Sequence, residues 1–437
     1  MTAENTTTAL AAGLKIMQDK DVMVEAIANQ VRAWKLTEDM AEDEYQDMGG
    51  QFARFASNIV ANEGTGFTGE GGVTHVGSVP TIINYDVYYK YADAGFQVTR
   101  QQLRQGMSSK QAYANFTKWL FKNSEESLVR TINRCMYGTG RGTLGVVSSD
   151  TGSGTDVVIK NPGGVTGTFN GARYLRPGMI VAFITLASPS TSSTITGSGK
   201  ISSVDYSTST ITLAASTSFT NGDLVIGCSK VTPAALSSTG FDNEVMGWMG
   251  MADDGTKLGT FQGVSRTTYD KAKGWVITAN GGLTPKIMRR MSNAIFDRSN
   301  KEVEAWLMHS SVRDQYLDNL VEFVRYNGVK GMDAAPGGAW NRENAYAQFA
   351  EKSLIVDGMA PYYTAFATGG EKLKILNVLK GTWVNEDGLT LHKIEGQNDY
   401  EALYSWFFNL AHLLPTSLGR IDGISVTDEE MDEIPIL

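Results

Sequence analysis

Little in this chain points to a reactive centre. Its 437 residues include two cysteines, Cys135 and Cys228, too few and too far apart for a disulfide framework or a thiolate zinc site. They suit a reducing compartment. The four histidines, His75, His309, His392 and His412, stand singly, without metal-ligand spacing. G-x-S-x-G, H-E-x-x-H and Walker motifs are all missing, so no catalytic residue, metal or cofactor is expected. Apolar runs are too short to span a bilayer, which excludes a helical membrane anchor. The opening residues MTAENTTTAL lack the basic start and apolar centre of a signal peptide. Charge is also sparse, at 19% of residues, and the net value of −9 argues against a protein that grips phosphate backbones.

What is present is material for packing. Hydrophobic residues make up 42% of the chain and aromatic residues 10%, and the length exceeds one typical core, so two or three domains are expected. The stretch Ser108–Tyr137 runs without proline or glycine and is opened by serines that can cap a helix. Tyr113, Phe116, Leu120, Phe121, Leu128, Ile132 and Cys135 recur at helical spacing. Lys110, Lys118, Lys122, Glu125, Glu126 and Arg130 fill much of the remainder, which predicts an amphipathic helix of roughly 40 Å. Cys135 falls on its apolar side, which suits packing rather than nucleophilic chemistry.

Before that helix, residues 1–48 read as one or two helices, with Leu14, Met17, Val24, Ile27, Val31 and Trp34 on one face and then the acidic run EDMAEDEYQD. Such a segment must pack on its own chain or on another subunit. A further short helix is expected over Gly49–Val60, through Phe52, Phe55, Ile59 and Val60. Residues 62–79 are rich in glycine and threonine, and a tyrosine-dense, β-prone segment follows Pro80. Two extended arms joined by glycine-rich turns would form a long hairpin that either covers a neighbour or makes a loop-rich edge of the same domain.

After the helix, Gly140-x-Gly142-x-x-Gly145 matches a dinucleotide fingerprint as a string. It lacks the preceding strand and following helix, so it reads as a turn. Residues 148–230 are dominated by Ser, Thr and Gly. Short strands are expected at Asp156–Lys160, Met179–Ile184, Ile201–Tyr206, Thr210–Leu213 and Leu224–Ile226, as in a small sandwich or barrel. Thr196–Lys200, TGSGK, lacks the Ser or Thr that a phosphate loop needs after its lysine. From Pro233 a mixed α/β body follows. It has a capped helix at Thr284-Pro285 with Ile287, Met288, Met291 and Ile295 as its apolar face, and a buried strand at Glu304–Met308. A short helix and a long polar loop at 328–344 come next. Strands SLIVD, YYTAFAT, LKILNVL, TWVNE and LTLHKI, the aromatic YEALYSWFFNLAHLL and an acidic tail complete it.

The order of these parts resembles the major capsid proteins of tailed bacteriophages, whose fold is named after the Hong Kong ninety-seven phage. Four stretches carry the likeness: Phe96–Arg104 leading into the helix; ARYLRPGMIVAF with ISSVDYSTSTITLA; GWMGMADDGTKLGTFQGVSRTTYDKAKGWV; and LTPKIMRRMSNAI leading to EVEAWLMHSSVRDQY. The resemblance implies an α+β fold made of an N-terminal arm (1–61), an extended β-hairpin loop over the neighbouring subunit (62–106), and a peripheral-domain spine helix (107–147). An inserted small all-β domain (148–232) follows, then an axial domain with the remaining peripheral strands (233–437). It also implies a structural protein, not an enzyme. Its partners would be its own copies as pentamers and hexamers, scaffolding, portal and decoration proteins, and double-stranded DNA enclosed without sequence-specific binding or any membrane, in a virion assembled in the host cytoplasm. Candidate inter-subunit contacts are Tyr85, Tyr88, Tyr89, Lys90, Tyr91, Arg100, Arg104, Lys118, Lys122, Glu125, Glu126 and Arg130. Lys90 is the one loop lysine able to join the isopeptide crosslinks some members form; neither crosslinking nor N-terminal processing is expected. Deleting residues 64–95 is expected to leave a folded subunit that forms no stable shell. A bacterial nanocompartment shell and a β-rich carbohydrate-active enzyme or adhesin are the alternatives.

Overall fold

The computed structural model describes residues 33–34, 36–37, 43–46, 52–60, 64–77, 79–101, 110–148, 152–167, 169–186, 193–327, 348–350, 352–369, 373–385, 388–396 and 398–426. The expected polar loop at 328–344, most of the N-terminal helical segment and the acidic tail fall outside them.

A 27-residue helix, α1 (Lys110–Met136), lies against a five-stranded sheet. That sheet runs β1 (Asp43–Gln46), β18 (Leu373–Trp383), β20 (Asp399–His412) and β19 (His392–Lys393), with β4 (Lys90–Thr99) on the other side of β20. Phe121, Leu128, Ile132 and Cys135 of the helix are buried, as their spacing predicts. Phe121 stacks edge-on against Phe96 of β4 at 4.9 Å and Trp383 of β18 at 4.6 Å. The aromatic run at 400–414 is the long central strand β20. Trp34 docks onto it, 5.1 Å from Trp406 and 5.4 Å from Phe408. The N-terminal segment therefore packs on its own chain at this point.

The second body is a six-stranded mixed sheet. Its order is β13 (Trp275–Gly281), β21 (Gly419–Ile424), β17 (Ala365–Thr368), β14 (Ala305–Met308), β16 (Lys352–Val356) and β15 (Gln348–Phe349). Helices α2 (Pro285–Ser299) and α3 (Ser310–Asn327) flank it. Thr284 caps α2 by accepting from the Ile287 amide, and Met288, Met291 and Ile295 are fully buried. Trp306 and Met308 of β14 face this helix cluster, whereas Leu307 enters the core shared with α1. With both faces covered, the strand reads as an unbroken apolar run. The helix α3, with 18 residues, is longer than the short element expected there.

The third body is a closed six-stranded barrel: β5 (Thr143–Val147), β6 (Ser153–Lys160), β7 (Ile180–Thr185), β8 (Thr194–Asp205), β9 (Thr210–Ser218) and β10 (Leu224–Gly227). Closure removes free sheet edges, so short Ser/Thr-rich strands need only a thin interior such as Val157, Phe183, Ile211 and Phe219. The TGSGK string lies inside β8 and wraps nothing. The glycine string after α1 is only partly a turn. Gly140 and Gly142 have φ of 85° and 78°, but Gly145 sits within β5, so the barrel begins before residue 148.

Other local expectations fail as well. Phe52–Val60 is not a helix but strand β2, paired antiparallel with β3 (Thr81–Tyr88). Its aromatic and β-branched residues fit either period locally, and the partner strand decides. The acidic run contributes β1, held by parallel pairing of Asp43–Gln46 with Lys374–Asn377. TWVNE starts within β18 rather than forming a separate strand, and LTLHKI contributes only the two residues of β19.

Candidate assembly surface

Strands β2 and β3 are the stalk of a hairpin. Arg54 and Asp86 stand opposite each other and pair through two hydrogen bonds of 2.7 and 2.9 Å. Beyond the strands the two limbs stay together: a Cβ on Gly64 would meet Gly77, and one on Gly66 would meet the His75 ring. The tip turns at Gly71, φ 74°. Glycine is needed at 64 because the limbs touch backbone to backbone there, and at 71 because of its positive φ. This projection leaves Phe67, Val73, Val76 and Val79 uncovered, at 106, 89, 87 and 88% exposure.

The contact residues expected from the sequence divide sharply. Tyr85 and Tyr89 are buried within their own chain and unavailable to a neighbour: Tyr85 meets Phe261 edge-on at 5.8 Å, and Tyr89 packs with Leu376 and Ala411. Tyr88 and Tyr91 point outward, supported by Phe52 at 5.4 Å and Phe407 at 4.8 Å. The segment after Pro80 thus does have an apolar/polar division, one that its tyrosines hide. Lys90 is half-buried and donates to the Asp242 carbonyl; burial lowers its pKa against the pull of the Asp242 charge. Arg100 is exposed at the end of β4, its amide bonded to the Asn398 carbonyl at 3.0 Å. Arg104 and the Lys118 side chain lie outside the described residues. On α1, Lys122 and Glu126 are exposed and pair at 3.7 Å, and Arg130 Nε donates to the Glu126 carbonyl at 3.2 Å. Glu125 is half-buried, which together with the neighbouring Glu126 charge raises its pKa.

Buried arginines hold the three bodies together, and sequence reasoning missed them all. Asp253, fully buried, faces Arg266 at 3.5 Å and Arg420 of β21 at 3.1 Å. Arg266 also donates to the carbonyls of Gly250, Met251, Leu258 and Ala272, so the whole loop from 248 to 274 winds around one guanidinium. Arg173 of the barrel stacks over Tyr362 at 4.1 Å and donates to Gly358 and Ala360, while Tyr174 donates to Met359 at 3.0 Å. Tyr137, just past α1, donates to Asp357 at 2.9 Å. Helix end, barrel and six-stranded sheet therefore meet at the turn 357–363.

A projecting hairpin, a helix-backed sheet, an inserted barrel and a two-helix mixed sheet, in this chain order, make the fold of the phage major capsid proteins. The chain is similar in structure to a chain of the capsid asymmetric unit of cyanophage A-1(L). The TM-score is 0.53 at 11% identity, covering 90% of this chain and 93% of that one. Mycobacterium phage Adephagia gives 0.38 at 10% identity over 90% of both chains. An encapsulin complex from Synechococcus elongatus gives 0.26 at 15% identity over 35% of this chain and 54% of that one. The last two superpose too loosely to bear on the assignment. No protein-family model matches the chain, and no curated protein does.

Proposed function

We propose that this chain is the major capsid protein of a tailed bacteriophage, assembling as pentamers and hexamers into an icosahedral shell around double-stranded DNA. The observation that carries the proposal is the fold shared with a capsid subunit over 90% of the chain. The uncovered hairpin supports it. Four large apolar side chains in water are a liability in a monomer, and covering them gains roughly 6–12 kcal/mol per subunit before ordering costs. In this reading residues 64–80 lie over the neighbouring subunit, a narrower loop than 62–106, because β4 belongs to the sheet of its own body. Helix α1 is the spine of the peripheral domain, the six-stranded sheet with α2 and α3 is the axial domain, and the barrel is the insertion. Partner contacts fall to Tyr88, Tyr91, Arg100 and the Lys122–Arg130 face.

The net charge of −9 suits a wall that encloses DNA without adsorbing it. Isolation of native particles tests the proposal. Nuclease-protected double-stranded DNA within shells of this chain is expected; shells holding a cargo enzyme and no DNA would identify a nanocompartment instead.

A further inference from the structure

The barrel keeps an apolar interior of its own, and its segment 169–174 meets the rest of the chain on the turn 357–363. Tyr362 is the hub of that contact. Phe169 meets its ring edge-on at 5.7 Å and Arg173 lies over it at 4.1 Å. His309, one residue past β14, packs against the same ring at 4.6 Å. Arg173 is a buried cation that forms no ion pair among the described residues; the Gly358 and Ala360 carbonyls and the Tyr362 ring hold it. The buried His309 ring has to be neutral in this arrangement. Its Nδ1 accepts from the Ser311 amide at 3.2 Å, so that nitrogen carries no proton, and the Ser311 hydroxyl lies 2.8 Å from it. The ring thereby caps the start of α3, whose N-terminal amides disfavour a cation. The acids on the neighbouring elements are already engaged. Asp314 pairs with Arg313 at 2.6 Å, and Asp357 accepts from the Tyr137 hydroxyl and the Met359 amide, each at 2.9 Å. Charging the imidazole would put a second cation beside Arg173 against one ring, with both of these carboxylates already taken.

We propose that His309 is an acid-sensitive latch, whose protonation undocks the barrel from the turn 357–363 while the barrel and the six-stranded sheet each stay folded. The latch lies within one chain and does not depend on the shell reading. Closure lets the barrel keep its strands paired when it separates. Undocking leaves the imidazole in water, where it titrates near 6.5, so the undocked state gains protons, and population, as pH falls below that value. Hydrogen exchange of the purified full-length subunit tests this, read by mass spectrometry at pH 7 and pH 5 and corrected for the intrinsic pH dependence of exchange. Peptides covering 169–175 and 357–363 should exchange up to roughly 25-fold faster at pH 5, the gain from one ring whose pKa rises from about 3 to about 6.5 on opening. Those covering β7 and β14 should keep their protection. His309→Asn keeps an oxygen that can accept from the Ser311 amide but takes up no proton, so its junction should stay protected at both pH values. His309→Gln serves the same purpose if the Asn variant does not fold. Unchanged junction exchange in the parent overturns the proposal. So does a matching loss of protection in β7 and β14, because acid then opens the whole chain. A pH response in the variants equal to the parent's assigns the effect to another group and also refutes the latch.

Discussion

Asp253 carries much of the electrostatic load of the interior. Asp253→Asn leaves Arg266 without its buried countercharge and weakens the hold on Arg420, at an expected cost of about 3–5 kcal/mol, read as a lower urea midpoint. A loss below about 1 kcal/mol would mean the carbonyls around Arg266 suffice. Two histidines set the acid limit. His412 Nδ1 accepts from the Leu414 amide and Nε2 donates to Gly369, so the neutral ring is fixed, and burial pushes its pKa down to about 4. His309 is pushed to about 3 by burial and by Arg173 and Arg313. Unfolded, each titrates near 6.5, so below that pH the unfolded chain binds more protons. Stability present above pH 6.5 is therefore lost as pH falls toward 4, by up to about 1.4 kcal/mol per pH unit for each ring. Urea unfolding at pH 7 and 5 reads this, and His412→Gln should flatten the slope.

At the scale of elements, the hairpin and α1 make separable predictions. Deleting residues 64–95 would remove β3, most of β4 and Tyr89 between them, and with them the core residues Tyr85, Val87 and Tyr89. The informative deletion is 65–78, joined by a short Gly-Ser turn. It should keep the unfolding midpoint of the parent subunit yet fail to form stable shells, and shells of normal stability would remove the loop from the assembly interface. Lys122→Glu with Arg130→Glu should impair assembly while circular dichroism of the subunit stays unchanged. Unfolding of that variant would make α1 only a core beam. The elements legible in the sequence were those specified locally: the Thr284-Pro285 cap, the apolar stripe of α1 and the barrel strands, separated by the turn sequences NPGG (161–164), RPGM (176–179) and NGD (221–223). What stayed hidden depended on distant partners. β2 reads as helix until β3 supplies its ladder, and the tyrosines of 85–91 sort into in and out only against Phe261, Leu376 and Ala411. A buried arginine such as Arg266 has no local signature at all, since its ligands are carbonyls of the loop it organises.

For the whole molecule, the three bodies meet at 357–363 and around Asp253, and one apolar hairpin extends beyond them. On the proposed capsid reading, copies of the chain cover that apolar surface. Weakening the junction should therefore lower assembly together with stability, unlike the loop deletion, which separates them. Arg173→Ala is expected to cost about 2–4 kcal/mol through lost stacking and carbonyl hydrogen bonds, measured by urea unfolding of the subunit. The central claim is that the isolated chain makes shells from copies of itself. Negative-stain microscopy of the purified full-length protein tests it most directly: closed particles or rings of five and six subunits are the predicted result, and a field of dispersed monomers across concentration and salt would contradict it.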